Sequence, residues 1–252
     1  MRLVLDGLRL AVTTFTVAPV RGGRVDRATA GAAMLWAPAV GAVLGAALGA
    51  VALGLRWAHA PALLGAVLVV GLGALATRGL HLDGLADTVD GLGSYAGPER
   101  ALEIMKKPDV GPFGVAAIVL TLLGQVAAVA ALPTGLVLPA LVVATATGRL
   151  AVTWACRAGV PAARPNGLGA LVAGTTSWVS AGGLSLLVAA AAVWATHRHW
   201  PGPVAVGVAL AASAGLVRHA VRRFGGVTGD VFGACVEVAG TATLAGLAWA
   251  SG

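Results

Sequence analysis

The chain has 252 residues, 58% hydrophobic and 11% charged, with a mean hydropathy of +0.89, whereas an average soluble domain carries about 25% charged residues. Uncharged stretches of about 18 to 20 residues recur, the length that crosses a hydrocarbon core, so a soluble enzyme, a disordered tail and a disulfide scaffold are excluded in favour of an all-α integral membrane protein. The formal charge of +7 would suggest nucleic acid for a soluble chain, but in a membrane chain it is first a matter of topology, and nucleic acid is not the expected partner.

In chain order, Leu3 to Val20 carry Asp6 and Arg9 in an apolar stretch without a signal-peptide cleavage pattern. This predicts an amphipathic helix at the membrane interface, with a spanning or re-entrant role as the lesser alternative. Residues 1–34 form this interfacial segment, and residues 35–252 form one polytopic membrane domain carrying the chemistry. Hydropathy predicts about seven transmembrane helices, at 35–56, 60–77, 113–132, 136–155, 179–196, 203–217 and 232–250. With the N-terminus cytoplasmic, 15 of the 17 basic residues fall on the cytoplasmic side, leaving Arg56 and Arg198 outside. All ten acidic residues fall on that same side, which places any chemistry there. The seven tryptophans lie near predicted span ends, as headgroup anchors do, and His197 and His199 are expected at the opposite interface.

Within the first span Gly41, Gly45 and Gly49 form a smooth strip, expected to serve packing inside the bundle, with homodimerisation as the second reading. Cys156 and Cys235 lack any CxxC or histidine spacing and are expected to be apolar fillers.

The first chemical signal is the run Arg78-Gly-Leu-His-Leu-Asp-Gly-Leu-Ala-Asp-Thr-Val-Asp-Gly91. Asp83, Asp87 and Asp90 stand at i, i+4 and i+7, which puts all three carboxylates on one helix face. Like charges at this spacing repel, so the stripe calls for a cation, and hard oxygen donors suit Mg²⁺. The competing account, a solvated helix end, would mix both signs, yet no basic residue stands between His81 and Gly93. The Ca²⁺-binding EF-hand ladder is absent.

The second signal is Arg222-Arg-Phe-Gly-Gly-Val-Thr-Gly-Asp-Val-Phe-Gly-Ala-Cys-Val-Glu237. Gly225, Gly226 and Gly229, with Thr228 among them, let backbone amides approach an anion ahead of a helix whose positive end points the same way. Asp230 and Glu237 share one face of that helix, and Glu237 falls at bilayer depth, where an ionisable group is costly and marks function. Arg149 meets the same argument and needs a carboxylate or phosphate partner.

Two carboxylate sets on one side of the membrane are complementary to Mg²⁺ and pyrophosphate, which describes phosphoryl transfer by positioning and charge stabilisation rather than by a protein nucleophile. Metal ligands are expected from Asp83, Asp87, Asp90, Asp230 and Glu237. Asp90 and His81 are candidates for the general base, His81 equally for a hydrogen-bond donor behind the metal. Lys106, Lys107, Arg100 and Arg222 are candidate phosphate clamps, with positive-inside topology as the competing account.

The run His81-Leu-Asp-Gly-Leu-Ala-Asp-Thr-Val-Asp-Gly91, followed by Glu103-Ile-Met-Lys and Asp109-Val-Gly-Pro-Phe-Gly114, resembles the signature of the cobalamin synthase (adenosylcobinamide-GDP ribazoletransferase) family. Gly225-Gly-Val-Thr-Gly-Asp230 with Gly233, Ala234 and Glu237 is similar to that family's second motif, and Asn166-Gly-Leu-Gly169 and Phe15-Thr-Val-Ala-Pro19 also match. Pro108 departs from the family, which usually has serine there, so no hydroxyl role is carried over. The resemblance implies a Mg²⁺-dependent enzyme of the bacterial inner membrane with its active site on the cytoplasmic side. It would join adenosylcobinamide-GDP to α-ribazole or its 5′-phosphate, release GMP, and have other late cobalamin-pathway enzymes as partners.

Two rivals are weaker. CDP-alcohol phosphotransferases need DxxDGxxAR, but Gly93-Ser-Tyr follows Asp87-Thr-Val-Asp-Gly91 here. A cation-coupled transporter would spread its charges across both faces.

Overall fold

The protein is described by a computed structural model that covers residues 2–196 and 200–251, with backbone alone at 194–196; His197, Arg198 and His199 lie outside the described residues. Among these, regular structure is helical throughout: α1 Arg2–Phe15, α2 Arg27–Trp57, α3 Ala62–Ala76, α4 Leu80–Gly93, α5 Pro98–Ile104, α6 Pro112–Ala131, α7 Thr134–Ala155, α8 Gly167–Val172, α9 Trp178–Thr196, α10 Pro201–Phe224 and α11 Gly229–Ser251.

Each expected apolar stretch falls on one helix. Five helices, α2, α6, α7, α10 and α11, are long and apolar enough to cross a membrane, and α3 with α4 makes a sixth if the bent pair counts as one span. The difference from seven lies in α9, whose described apolar part, Trp178–Val193, is short, and in α3, which is 15 residues long. The expected amphipathic N-terminal helix is α1: Gly7, Ala11 and Phe15 are buried while Leu3, Val4 and Leu5 are exposed.

Local chemistry sets the helix ends. Asp26 caps α2 by accepting from the Thr29 amide at 2.8 Å, and that bond holds its carboxyl below the usual carboxylate range. Proline opens α5, α6 and α10, where a missing amide hydrogen costs nothing. Between α3 and α4 the chain turns through 86°, because Arg78 (φ 57°) and Gly79 (φ 67°) both adopt left-handed backbone. The Arg78 guanidinium donates to the Thr13 carbonyl at 3.1 Å and ties this corner to α1.

The centre is the α2–α7 pair, which the glycine strip makes possible. A Cβ on Gly49 would sit 2.7 Å from Leu138 Cα, and one on Gly41 or Gly45 would strike the α7 backbone. The backbones therefore approach closely enough for Thr145 Oγ1 to donate to the Gly41 carbonyl at 2.7 Å. Cys156 and Cys235 are fully buried in the same core, as apolar fillers would be.

Candidate active site

The acidic helix α4 packs across α11 at two glycines. A Cβ on Gly84 would lie 2.7 Å from the Asp230 carbonyl oxygen, and one on Gly233 would lie 3.2 Å from Gly84 Cα. No side chain separates the backbones at this crossing, so Asp230 stands within electrostatic range of Asp83 and Asp87. Asp83 is exposed and the other two are half-buried.

Asp230 is oriented by Thr228, whose Oγ1 donates to its carboxylate at 3.1 Å and accepts from the Val231 amide at 3.3 Å, closing the first turn of α11. Facing it at 3.9 Å is Arg164. One arm of that guanidinium donates to the Leu102 carbonyl at 2.8 Å, while its Nε is buried without a partner.

Asp83, Asp230, Thr228 and Arg164 form the rim of a cavity of about 290 Å³, together with Asn166 and Gly229, and Asp87 is not part of its lining. Its walls and floor are apolar: Phe15, Met34, Val152, Phe232 and Val236 are all buried. His81 lines the same cavity, 4% exposed, with its ring 5.8 Å from that of Phe15 and its Nε2 buried without a partner. The site is amphipathic, with charge at the mouth and an aromatic and aliphatic floor.

The remaining predicted residues are distributed otherwise. Asp90, on the same α4 face, spends both carboxylate oxygens on the start of α6, accepting from the Gly111 amide at 2.7 Å and the Gly114 amide at 2.9 Å. Both partners are glycines because a Cβ there would overlap the Asp90 carboxylate. Glu237 and Arg149 lie deeper, in an inner pocket of about 90 Å³ that His81 also touches. There Glu237 accepts from Gln125 Nε2 at 2.8 Å. Arg149 is 5% exposed with an unpartnered Nε, and among the described residues no carboxylate lies within ion-pair distance of it.

Of the glycine loop, Thr228 and Gly229 reach the cavity and Gly225 and Gly226 do not. Gly225 ends α10 with φ 79°. Gly226 allows a backbone crossing: a Cβ there would lie 2.5 Å from the Ala163 amide nitrogen, beside the Val227–Pro161 and Ala163–Val227 hydrogen bonds. Lys106 is exposed outside the cavity, and Arg222 lines a separate groove on α10. Arg164 and Asn166 are site residues that pattern alone did not single out. The signal for Asn166 was its glycine-flanked loop, whereas Arg164 looked like any cytoplasmic arginine.

Among the described residues no three His, Cys, Asp or Glu side chains converge closely enough to hold a metal by themselves. The donor set nevertheless suits Mg²⁺, which is held by one or two carboxylates with phosphate and water oxygens filling the shell.

A family model described as cobalamin-5-phosphate synthase matches residues 7–248. An adenosylcobinamide-GDP ribazoletransferase of Frankia casuarinae is 42% identical, covering 94% of this chain and 92% of the relative. Proteins of the same description from a Nocardioides species and from Pseudomonas putida are 43% and 36% identical, covering 98% and 96% of this chain and 99% and 98% of their own lengths. No solved structure matches.

Proposed function

Because the chain belongs to the cobalamin-5-phosphate synthase family, we propose that it transfers the corrinoid-bearing phosphoryl group of adenosylcobinamide-GDP to a ribose hydroxyl of α-ribazole or its 5′-phosphate. The products are adenosylcobalamin or its 5′-phosphate, and GMP. The reaction depends on Mg²⁺ and takes place at the cytoplasmic face of the bacterial inner membrane.

The observation that carries this reading is that Asp83 and Asp230 line the mouth of one apolar cavity with Arg164, and that Asp87 stands behind them within electrostatic range of both. In this proposal one or two carboxylates of this cluster would hold the metal, and pyrophosphate and water oxygens would complete its shell. Bound Mg²⁺ supplies charge neutralisation of the pyrophosphate and polarisation of the phosphorus. Of the two other residues counted as ligands by spacing, Asp90 has both oxygens engaged by the α6 amides and Glu237 has Oε2 engaged by Gln125 in the inner pocket, and their role is to position helices and the inner pocket.

Arg164, on the rim of the cavity, faces the phosphates with its positive charge, and the positive end of α11 opens at Gly229 on the same rim. At about 290 Å³ the cavity is on the scale of a nucleoside rather than a corrin ring. Its floor of Phe15, Met34, Val152 and Phe232 suits the flat, weakly polar base of the acceptor. The acceptor's ribose then lies between floor and rim, beside His81. His81 Nε2 accepts the hydroxyl proton as the oxygen attacks the corrinoid-bearing phosphorus, and the bond from that phosphorus to the GMP oxygen breaks.

The test is GMP release by detergent-purified protein given adenosylcobinamide-GDP and α-ribazole 5′-phosphate, with Mg²⁺ or with EDTA. Release that needs both acceptor and metal, with a corrinoid product, is expected. Absence of release from folded, lipid-supplemented protein would refute the transferase reading.

A further inference from the structure

Val204, Val208, Ala211, Gly215, Arg218 and Arg222 are spaced three or four residues apart on α10, so they share one face, and all six are exposed. From 204 to 215 the strip is apolar and about 16 Å long at 1.5 Å per residue, close to half of a roughly 30 Å hydrocarbon core. It ends in two arginines one turn apart. Like charges at this spacing repel, and among the described residues no carboxylate pairs with either.

These arginines line a groove of about 550 Å³ whose opposite wall is Arg157 with Val160 and Pro161, and no acidic residue lines it. Arg157 is held in place: its guanidinium lies 5.0 Å from the centre of the Trp178 ring and donates to the Trp154 carbonyl at 2.9 Å. Trp178 is 57% exposed and packs edge-on against Trp154, and an exposed tryptophan beside a span end favours headgroup depth. The groove therefore combines three converging positive charges at headgroup level with an apolar track one leaflet long. Where the Gly215 Cβ would stand there is open space, so the track is unobstructed.

We propose that this groove binds an anionic phospholipid, with the headgroup phosphodiester among Arg157, Arg218 and Arg222 and an acyl chain along residues 204–215. A zwitterionic lipid offers the same phosphate but adds a cation that three arginines repel. A soluble phosphate offers the charge but cannot use the track. The site is separate from the catalytic cavity, and the proposal does not depend on the reaction assigned there.

The test offers detergent-purified full-length protein phosphatidylglycerol and phosphatidylcholine of identical chains and counts retained lipid by native mass spectrometry. Wild type is expected to prefer phosphatidylglycerol. The Arg218→Gln/Arg222→Gln variant is expected to lose that preference by on the order of ten-fold or more, since each basic residue near an anionic headgroup contributes about five-fold. Arg9→Gln/Arg21→Gln, which removes equal charge elsewhere, is expected to keep it. Gly215→Leu, which fills the track without changing charge, is expected to weaken retention. Equal retention of the two lipids by wild type overturns the proposal, as does undiminished phosphatidylglycerol on the arginine variant or its displacement by millimolar inorganic phosphate.

Discussion

Asp83, Asp87 and Asp90 stand on one helix face and look equivalent in sequence, but their surroundings differ. Asp83 is open to the cavity mouth, whereas Asp90 binds two amides of α6. Asp83→Asn or Asp87→Asn is therefore expected to lower turnover at least about a hundred-fold, as loss of a charge-stabilising group does, in protein that still inserts and folds; normal activity of the purified variant would remove the metal assignment. Asp90→Ala is expected to cost about 1 kcal/mol or more of stability, the scale of a lost helix cap, and so to lower the melting temperature in detergent more than Asp83→Ala does. Arg164→Ala is expected to raise KM for the pyrophosphate donor and lower kcat together, because Arg164 lines the rim 3.9 Å from Asp230. The carboxylates were legible because acidic residues are conspicuous in an apolar chain. Arg164 was not, because a cytoplasmic arginine is what topology alone demands.

At the scale of elements, the site depends on how closely α4 and α11 cross. Gly84→Ala would bring its Cβ within 2.7 Å of the Asp230 carbonyl oxygen, and backbone cannot rotate aside as a side chain can. The expected result is a loss of roughly 1–3 kcal/mol and a weaker affinity for Mg²⁺, read as a higher metal concentration for half-maximal GMP release. Gly182→Ala, on an open face of α9, is the control expected to change neither. The helix α4 and its acidic stripe follow from the i, i+4, i+7 spacing. The 86° corner before it does not, because a left-handed Arg78 is imposed by packing and by the Thr13 carbonyl rather than by residue preference.

At the scale of the whole molecule, the charge bias predicts that the cavity mouth and the α5–α6 loop share the cytoplasmic side. Asn166→Cys, at the rim, is expected to react with a membrane-impermeant thiol reagent in inverted but not right-side-out vesicles, and His59→Cys in the α2–α3 turn is expected to do the reverse. The two native cysteines are fully buried and give little background. Labelling of Asn166→Cys from outside would overturn the orientation.

Composition and periodicity alone determine that this chain is a helical membrane protein, where its apolar helices run, and where two acidic motifs stand out as the candidates for its chemistry. These are local properties, set by transfer free energy and by side-chain spacing along one helix. Only the tertiary structure decides which of five carboxylates meet, that Glu237 and Arg149 occupy a second pocket, that Gly226 serves a backbone crossing, and that Arg222 turns to a groove on α10. Those outcomes depend on how distant helices cross, and the crossings are set by small residues whose partners are far away in sequence, information that no single window of the chain contains.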